Sequence, residues 1–279
     1  MQPPRKRFGQ HFLHDPAVIE RLVHAIDPRV GDHFVEIGPG RGVLTRRLLA
    51  TTLASLDAIE IDRDLSARLE VELGADQRFA LHRADALATD LEALARSRGA
   101  PLRLVGNLPY NLSTPLIFHF IACRAALLDL HVMLQREVVA RMAARPGTAE
   151  YGRLTVMLAP WVSAEPLFDV GPGAFQPPPR VWSTVVRLRV LPQPAFVVSR
   201  GFAQVVAAAF AHRRKTLRNA LRGLLTAADI EGCGLDPGAR PETIPPSRFN
   251  DLGALLPAPP AARTGPHRRT MRQASRSGS

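Results

Sequence analysis

The sequence predicts an α/β protein: a mostly parallel sheet followed by a small all-helical unit. Three observations carry this expectation. Short apolar runs alternate with helical segments between residues 33 and 135, an order that builds a parallel sheet covered on both faces. The first of these runs ends in a glycine-rich turn, GPGRG at 38–42, just ahead of a helix. From Arg200 onward the strand pattern stops and the periodicity turns helical.

Each element follows in order. PAVIERLVHAI (16–26) has helical period, with Pro16 in the first turn and Asp15 suited to cap it. HFVEI (33–37) is the first strand and VLTRRLLA (43–50) the next helix. LDAIEI (56–61) is a second strand, followed by the helical RDLSARLEVEL. RFALHRAD (78–85), LRLVGN (102–107) and LDLHVMLQ (128–135) are the third, fourth and fifth strands. VWSTVVRLRVL (181–191) alternates as a last, antiparallel strand, and PQPAFVVS after it reads as a linker. GFAQVVAAAFAHRRKTLRNALRGLL (201–225) reads as helix. In it Leu217, Leu221, Leu224 and Leu225 share an apolar face, and Arg214, Arg218 and Arg222 recur every four residues on another. The expected division is a sheet unit with an N-terminal arm over 1–191, a helical unit over 192–256, and a basic, disordered tail over 257–279.

The totals narrow the class. At 279 residues the chain buries enough surface to need no disulfide or metal staple. Cys123 and Cys233 stand far apart without metal-ligand spacing, so neither a metal site nor a disulfide is expected. No long uncharged apolar run and no signal-like N-terminus occurs, which leads to the expectation of a cytoplasmic protein, acting as a monomer and away from membranes. The net charge of +11 is unevenly placed. Residues 1–7 (Arg5, Lys6, Arg7), 200–222 (Arg200, Arg213, Arg214, Lys215, Arg218, Arg222) and 252–279 hold 14 of the 36 basic residues and no acid. The remainder has 22 basic against 25 acidic residues. A near-neutral body with basic appendages suits a polyanion, most simply nucleic acid. Solubility charge is the plainer alternative, and it explains the tail better than it explains 200–222.

Ligands of such sheets bind at the carboxyl ends of the strands. Gly38, Gly40 and Gly42 form a G-x-G-x-G turn, which differs from the dinucleotide spacing G-x-G-x-x-G. Glu60 ends the second strand, where a carboxylate can accept from vicinal ribose hydroxyls. Asp85 ends the third, where an acid can accept from an adenine amino group. One such acid reads as an ordinary loop acid; two at consecutive strand ends suit a nucleoside.

The fourth strand ends in Asn107-Leu108-Pro109-Tyr110. An adenine amine is a poor nucleophile because its lone pair is delocalised into the ring. Two acceptors aimed at its N–H groups localise that lone pair, and the Asn107 side-chain oxygen and Leu108 carbonyl supply them. Pro109 fixes the backbone so that this carbonyl points inward. Tyr110 can stack on an unstacked base, worth about 1–3 kcal/mol. A plain strand-to-helix turn is the alternative, and the glycine turn with Glu60 and Asp85 favours the catalytic reading.

Together these residues resemble the KsgA/RsmA family of rRNA adenine N6-dimethyltransferases, over roughly residues 5 to 256. The resemblance rests on RKRFGQHFL (5–13), VEIGPGRGVLT (35–45), IEIDRDL (59–65), GNLPYNLSTPL (106–116), MLQREVVARM (133–142), YGRLTV (151–156), AFQPPPRVWSTVVRL (174–188) and AFAHRRKTLRNAL (209–221). It implies a Rossmann-like, S-adenosylmethionine-dependent methyltransferase sheet with a small C-terminal helical domain. It implies that His11, Leu13, Gly38, Gly40, Glu60, Asp85 and Asn107 hold S-adenosylmethionine, with no metal. Asn107, Leu108, Pro109 and Tyr110 would hold the target, with Phe175 stacking opposite Tyr110. Phe175 packed on the core is the plainer alternative. Arg5, Lys6, Arg7, Arg213, Arg214, Lys215, Arg218 and Arg222 would grip RNA. The implied substrate is 16S rRNA of the small ribosomal subunit, dimethylated on two adjacent adenosines of its 3′-terminal hairpin loop. The arm departs from many relatives in reading GlnHis rather than GlnAsn; His11 could keep the role through a ring nitrogen or its backbone. The tail lies outside the resemblance.

Three rivals remain at this point. An Erm-type enzyme acting on large-subunit rRNA shares the glycine turn and an Asn-x-Pro-aromatic motif, but HRRKTLRNAL and AFQPPPRVWSTVVRL favour the small-subunit enzyme. A non-catalytic RNA-binding or assembly factor on the same fold is disfavoured by the intact Gly38, Glu60, Asp85 and Asn107. A nicotinamide dehydrogenase has the wrong glycine spacing.

Overall fold

The computed structural model describes residues 11–212 and 214–257. Arg5, Lys6, Arg7, Arg213 and the tail from residue 258 lie outside the described residues. The described residues begin with a two-residue strand β1 (Phe12–Leu13) and helix α1 (Pro16–Ile26). Asp15 starts this helix by accepting from the N–H groups of Ala17 and Val18 at 2.8 and 3.2 Å. Pro16 at N1 loses nothing by lacking a donor. Ile19, Leu22 and Ile26 form its buried face.

Then come β2 (His33–Ile37), α2 (Val43–Leu49), β3 (Ser55–Ile59), α3 (Arg63–Leu73), β4 (Phe79–His82), α4 (Leu91–Arg98), β5 (Leu102–Asn107), α5 (Ser113–Ala122) and β6 (Leu127–Gln135). The second half contains α6 (Arg136–Met142), α7 (Arg153–Leu158), β7 (Val162–Val170), β8 (Phe175–Gln176) and β9 (Ser183–Val190). The helical unit holds α8 (Phe202–Ala209), α9 (Leu217–Ala220), α10 (Ala227–Gly232) and α11 (Pro246–Ala254). Among the described residues no helix is long and apolar enough to cross a membrane.

The main sheet has the order β4-β3-β2-β5-β6-β9-β7, parallel through β6 and antiparallel for β9 and β7. The chain runs outward from β2 in one direction and resumes at β5 on the other side. The switch point therefore lies between β2 and β5, where a ligand crevice opens at the strands' carboxyl ends. Side chains alternate along β2: Phe34 enters one core with Leu22, Leu44 and Leu48, while Val35 and Ile37 enter the other with Leu91, Leu116 and Phe120. At the opposite end of the sheet Arg103, almost fully buried, bonds Asp32 and Asp129 and the carbonyls of Ile26 and Asp27. Its charge is thus fully paired, which a buried cation requires.

Three sequence expectations need correction. Strand β7 is absent from the sequence reading, because VSAEPLFDV carries Glu165, Pro166 and Asp169 and shows no clean alternation. It is an edge strand, with a register shift between Pro166 and Phe168, the position in a sheet where proline is tolerated. The stretch 201–225 is not one helix. Helix α8 ends at Phe210, whose ring packs on Tyr151 and Phe249, and Arg214 takes a left-handed conformation (φ 71°). The first N–H groups of α9 are taken by the carbonyls of Ala239 and Pro237, at 2.8 and 3.0 Å, which pins a new helix start at Leu217. Leu217, Leu221 and Leu225 are buried as expected, but Arg214, Arg218 and Arg222 do not form one helical stripe. Finally, the expected linker is docked. Ser199 N–H donates to Asn250 Oδ1 at 2.6 Å, and Phe196 packs edge-on against Phe202.

The helical unit has its own core around Phe202, Val206, Leu217, Ile230 and Phe249, and Tyr151 just before α7 and Val156 within it join that core.

Gly106 shows how tightly the switch point is built. A Cβ there would sit 2.6 Å from the Ile37 carbonyl oxygen in the neighbouring strand. Gly106→Ala is expected to cost about 1–3 kcal/mol of stability by forcing β2 and β5 apart. Urea denaturation checks this; an unchanged midpoint would mean that the two strands are free to separate.

Candidate active site

A cavity of about 390 Å³ opens at the switch point. Its floor is the turn after β2, containing Gly38 and Gly40, and its walls come from the ends of β3 and β5. Gly38 takes φ +64°, and a Cβ there would meet no atom within 4 Å, so the backbone presents an open face.

The acids are distributed along the cavity. Glu60 follows directly on β3 and is buried; its Oε2 accepts from Gly40 N–H at 3.1 Å and its Oε1 from Asp62 N–H at 2.9 Å. These bonds tie the glycine turn to the next strand and leave each oxygen with further acceptor capacity. Burial raises the Glu60 pKa, and the two backbone donors pull it partly back. Asp85 does not end β4; the strand stops at His82, and Asp85 heads the single 3₁₀ turn that follows. The reason is local: its Oδ1 accepts from Leu87 N–H at 2.9 Å, a capping geometry that ends extended structure. It is exposed and still lines the cavity.

Glu36 received no role from the sequence. It lies within β2 at 2% exposure, lines the cavity, and its Oε2 has no hydrogen-bond partner among the described residues. Burial pushes its carboxyl up to about 7; the neighbouring Thr45 hydroxyl pulls it partly back, and the nearby charge of Glu60 adds to the rise. The available signal was an acid inside an apolar strand, directly before a glycine turn.

Asn107 ends β5, and its side-chain Nδ2 donates to the His11 carbonyl at 2.8 Å. That bond fixes the amide, so Oδ1 is the atom left to face a ligand. Leu108 donates its N–H to the Met133 carbonyl at 3.2 Å, and its side chain is buried. Its own carbonyl takes no hydrogen bond among the described residues. The Pro109 carbonyl accepts from Leu112 N–H at 3.0 Å and from the Ser113 hydroxyl at 3.1 Å, which closes the turn onto α5. Tyr110 is held by a 2.6 Å bond between its hydroxyl and that of Ser183 on β9. Burial raises its pKa.

The N-terminal segment closes one side. His11 Nδ1 bonds the Pro177 carbonyl at 2.8 Å, and the β1–β8 pair sets Leu13 opposite Phe175. His11 and Leu13 both line the cavity. Phe175 does not: at 2% exposure it packs with Leu13, Val170 and Val185. The ring that faces Tyr110 is instead His11, with centroids 5.4 Å apart and planes at 30°. The expected stacking place of Phe175 is thus corrected, because strand pairing with β1 turns its side chain into the core.

Of the described residues predicted to grip RNA, one lines a second cleft. Arg214 lines this larger cleft of about 660 Å³ between α5–α7 and the helical unit, with Arg141, Arg153 and Arg240 and with the acids Glu150 and Glu242, the latter paired with Arg240 at 3.7 Å. Thr114 and Phe118 of α5 border this cleft, and Leu112 and Leu116 border the first, so the two share one helix. Lys215, Arg218 and Arg222 are exposed nearby in sequence but do not line the cleft.

An adenosyl sulfonium donor fits the first cavity on this chain's own features. The open Gly38 backbone, the two acids beyond β3 and β4, and the orphaned buried oxygen of Glu36 provide apposite partners for backbone approach, hydroxyls, an amine and an ammonium.

Comparison with known proteins gives the family and the fold. Residues 1–253 match the family described as ribosomal RNA adenine dimethylase. A "Ribosomal RNA small subunit methyltransferase A" of Nitrosococcus oceani is 53% identical over 243 residues, covering 86% of this chain and 91% of that protein. Two solved structures share the fold. A dimethyladenosine transferase from Plasmodium falciparum has a TM-score of 0.73 at 22% identity, covering 87% of this chain and 96% of the other. The 23S rRNA methyltransferase ErmE has 0.66 at 24%, covering 88% and 99%. Sequence identity at this level, extending through both the sheet and the helical unit, makes this chain a member of the ribosomal RNA adenine dimethylase family.

Proposed function

We propose that this chain uses S-adenosylmethionine to dimethylate N6 of two adjacent adenosines in the 3′-terminal hairpin loop of 16S rRNA, within the small ribosomal subunit and in the cytoplasm. The observation that carries the chemistry is the fixed amide of Asn107, with Nδ2 committed to His11 and Oδ1 left open.

Glu60 would hold the donor's ribose hydroxyls and Asp85 its adenine amine. Glu36 would meet its ammonium, satisfying the orphaned oxygen. When bound, the donor supplies an electrophilic methyl group. The chain's own work is positioning. Asn107 Oδ1 and the Leu108 carbonyl accept the two N–H bonds of the target amine, which draws its lone pair out of conjugation. No strong base is required, since the cationic product amine is acidic enough to give its proton to water. The Ser183 bond keeps the Tyr110 ring upright as one wall for the base. A base in a hairpin loop is extracted at low cost.

RNA would lie along the arginine-lined cleft, reaching the catalytic turn over α5. The exposed Lys215, Arg218 and Arg222 would extend the phosphate contacts, giving salt-sensitive affinity. The proposed division remains a donor-binding unit (1–191), an RNA-binding helical unit (192–256) and a tail (257–279).

The direct test supplies labelled S-adenosylmethionine with small and large subunits lacking the relevant methyl groups, then maps the labelled nucleotide. Label on N6 of adjacent adenosines in the small-subunit hairpin is expected; label confined to large-subunit rRNA would overturn the assignment.

A second prediction concerns Glu36. Its folded pKa of about 7 lies above its ordinary 4.5, so the folded state binds more protons in between. Its contribution is therefore full below about pH 4.5 and is lost as pH rises through about 7, by on the order of 3 kcal/mol. Glu36→Gln should flatten that part of the stability–pH profile. Calorimetry should also show the wild type, and not the variant, releasing a proton on binding the donor at pH 6.5. Equal proton release by both would remove Glu36 from the donor site.

A further inference from the structure

We propose that Trp182 is a stacking platform for the nucleotide beside the target adenosine, an inference that rests on the RNA substrate proposed above. Strand β9 runs antiparallel to β6, so its first residue lies at the edge where the parallel strands finish: Ser183 pairs with Gln135, as Asn107 pairs with Met133. Ser183 is the residue that holds the Tyr110 hydroxyl. Trp182 stands immediately before it, half-exposed at 50%.

The ring is supported on one side. It lies against Gly171, about 3.5 Å from where a Cβ would stand, and the Trp182 carbonyl accepts from Arg136 N–H at 3.0 Å. A large aromatic side chain fixed by backbone on one side and open on another costs little entropy to present. Apolar burial does not account for it, because Arg180, Val181 and Trp182 form an exposed run. Two exposed arginines stand close to it along the backbone, with the Asp169 carboxylate beside one of them. Arg136 is 62% exposed and reaches Asp169 only at 3.8 Å, and Arg180 is exposed two residues earlier. Cations around an exposed ring are the arrangement that receives single-stranded nucleic acid, phosphates on arginine and a base on the ring.

Trp182 is the residue just before β9 begins, so it stands at the carboxyl edge of the sheet, next in the chain to the Ser183 hydroxyl that holds Tyr110. A strand of RNA with one base beside Tyr110 would cross that edge, and the neighbouring base is the one within reach of Trp182. Two adjacent targets would give this platform a role in holding one while the other reacts.

Steady-state methylation of unmethylated small subunits, with a separate measure of donor affinity, tests the proposal. Trp182→Ala should raise KM for the subunit roughly ten-fold, as loss of one stacked base predicts. Melting temperature and donor affinity should stay unchanged. Trp182→Tyr should restore most of the loss, while Trp182→Leu, which covers Gly171 without a stacking face, should not. In a Trp161→Phe background, a short adenosine-containing oligoribonucleotide should quench the remaining tryptophan fluorescence. An unchanged KM in Trp182→Ala, rescue by leucine, or absence of quenching would each overturn the proposal. Absence of any transfer by the unaltered protein would instead overturn the substrate reading beneath it.

Discussion

One hydrogen bond organises the carboxyl edge of this sheet, where the proposed active site lies. The Asn107 side-chain amide donates to the His11 carbonyl at 2.8 Å, across 96 residues of sequence. A free asparagine amide presents oxygen or nitrogen to a ligand with little preference, and only the oxygen can accept from an adenine amine. Committing Nδ2 to the backbone of the N-terminal segment removes that ambiguity. The same segment is held in turn by the His11–Pro177 bond and by the β1–β8 pair. An arm, a strand end and a distant loop thereby determine the orientation of one amide.

Two structural constraints make this possible. The parallel strands end together at the switch point, so residues at the ends of β2, β3 and β5 converge without any long loop. Gly106 then lets β2 and β5 approach closely enough to keep the glycine turn beside the Asn107–Tyr110 turn. At the other end of the sheet the buried Arg103 cluster, with its two aspartates and two carbonyls, is saturated with partners. Beside that cluster the buried His131 ring makes no hydrogen bond among the described residues, and at the carboxyl edge Glu36 likewise keeps an oxygen without one. An unsatisfied buried carboxylate oxygen is costly in the protein alone and becomes useful when a cation arrives.

Much of this was legible in the sequence, for identifiable reasons. The parallel strands are apolar runs punctuated by Gly, Asn or Asp, and the helices carry their own caps, as Asp15 does for α1. Glu60, the glycines and the Asn107–Tyr110 turn fall at strand ends and Asp85 three residues beyond one, so topology brings them together. What escaped depends on tertiary contacts. Strand β7 lacks alternation because its edge position tolerates Pro166 and charged side chains. The helix expected over 201–225 breaks because the carbonyls of residues 237 and 239 capture the N–H groups at Leu217 and Arg218. Phe175 turns into the core because β8 pairs with a strand more than 160 residues away, and His11 fills the place beside Tyr110. No local pattern encodes any of these partners.

The central claim is that the fixed Asn107 oxygen activates the target amine without taking part in donor binding to any large extent. Single-turnover methylation by Asn107→Ala, measured beside its donor affinity by calorimetry, tests this most directly. The account predicts loss of transfer by at least about a hundred-fold, the usual scale for removing a preorganised polar group, with donor affinity within a few-fold of the wild type. Transfer at the wild-type rate with donor still bound would contradict it.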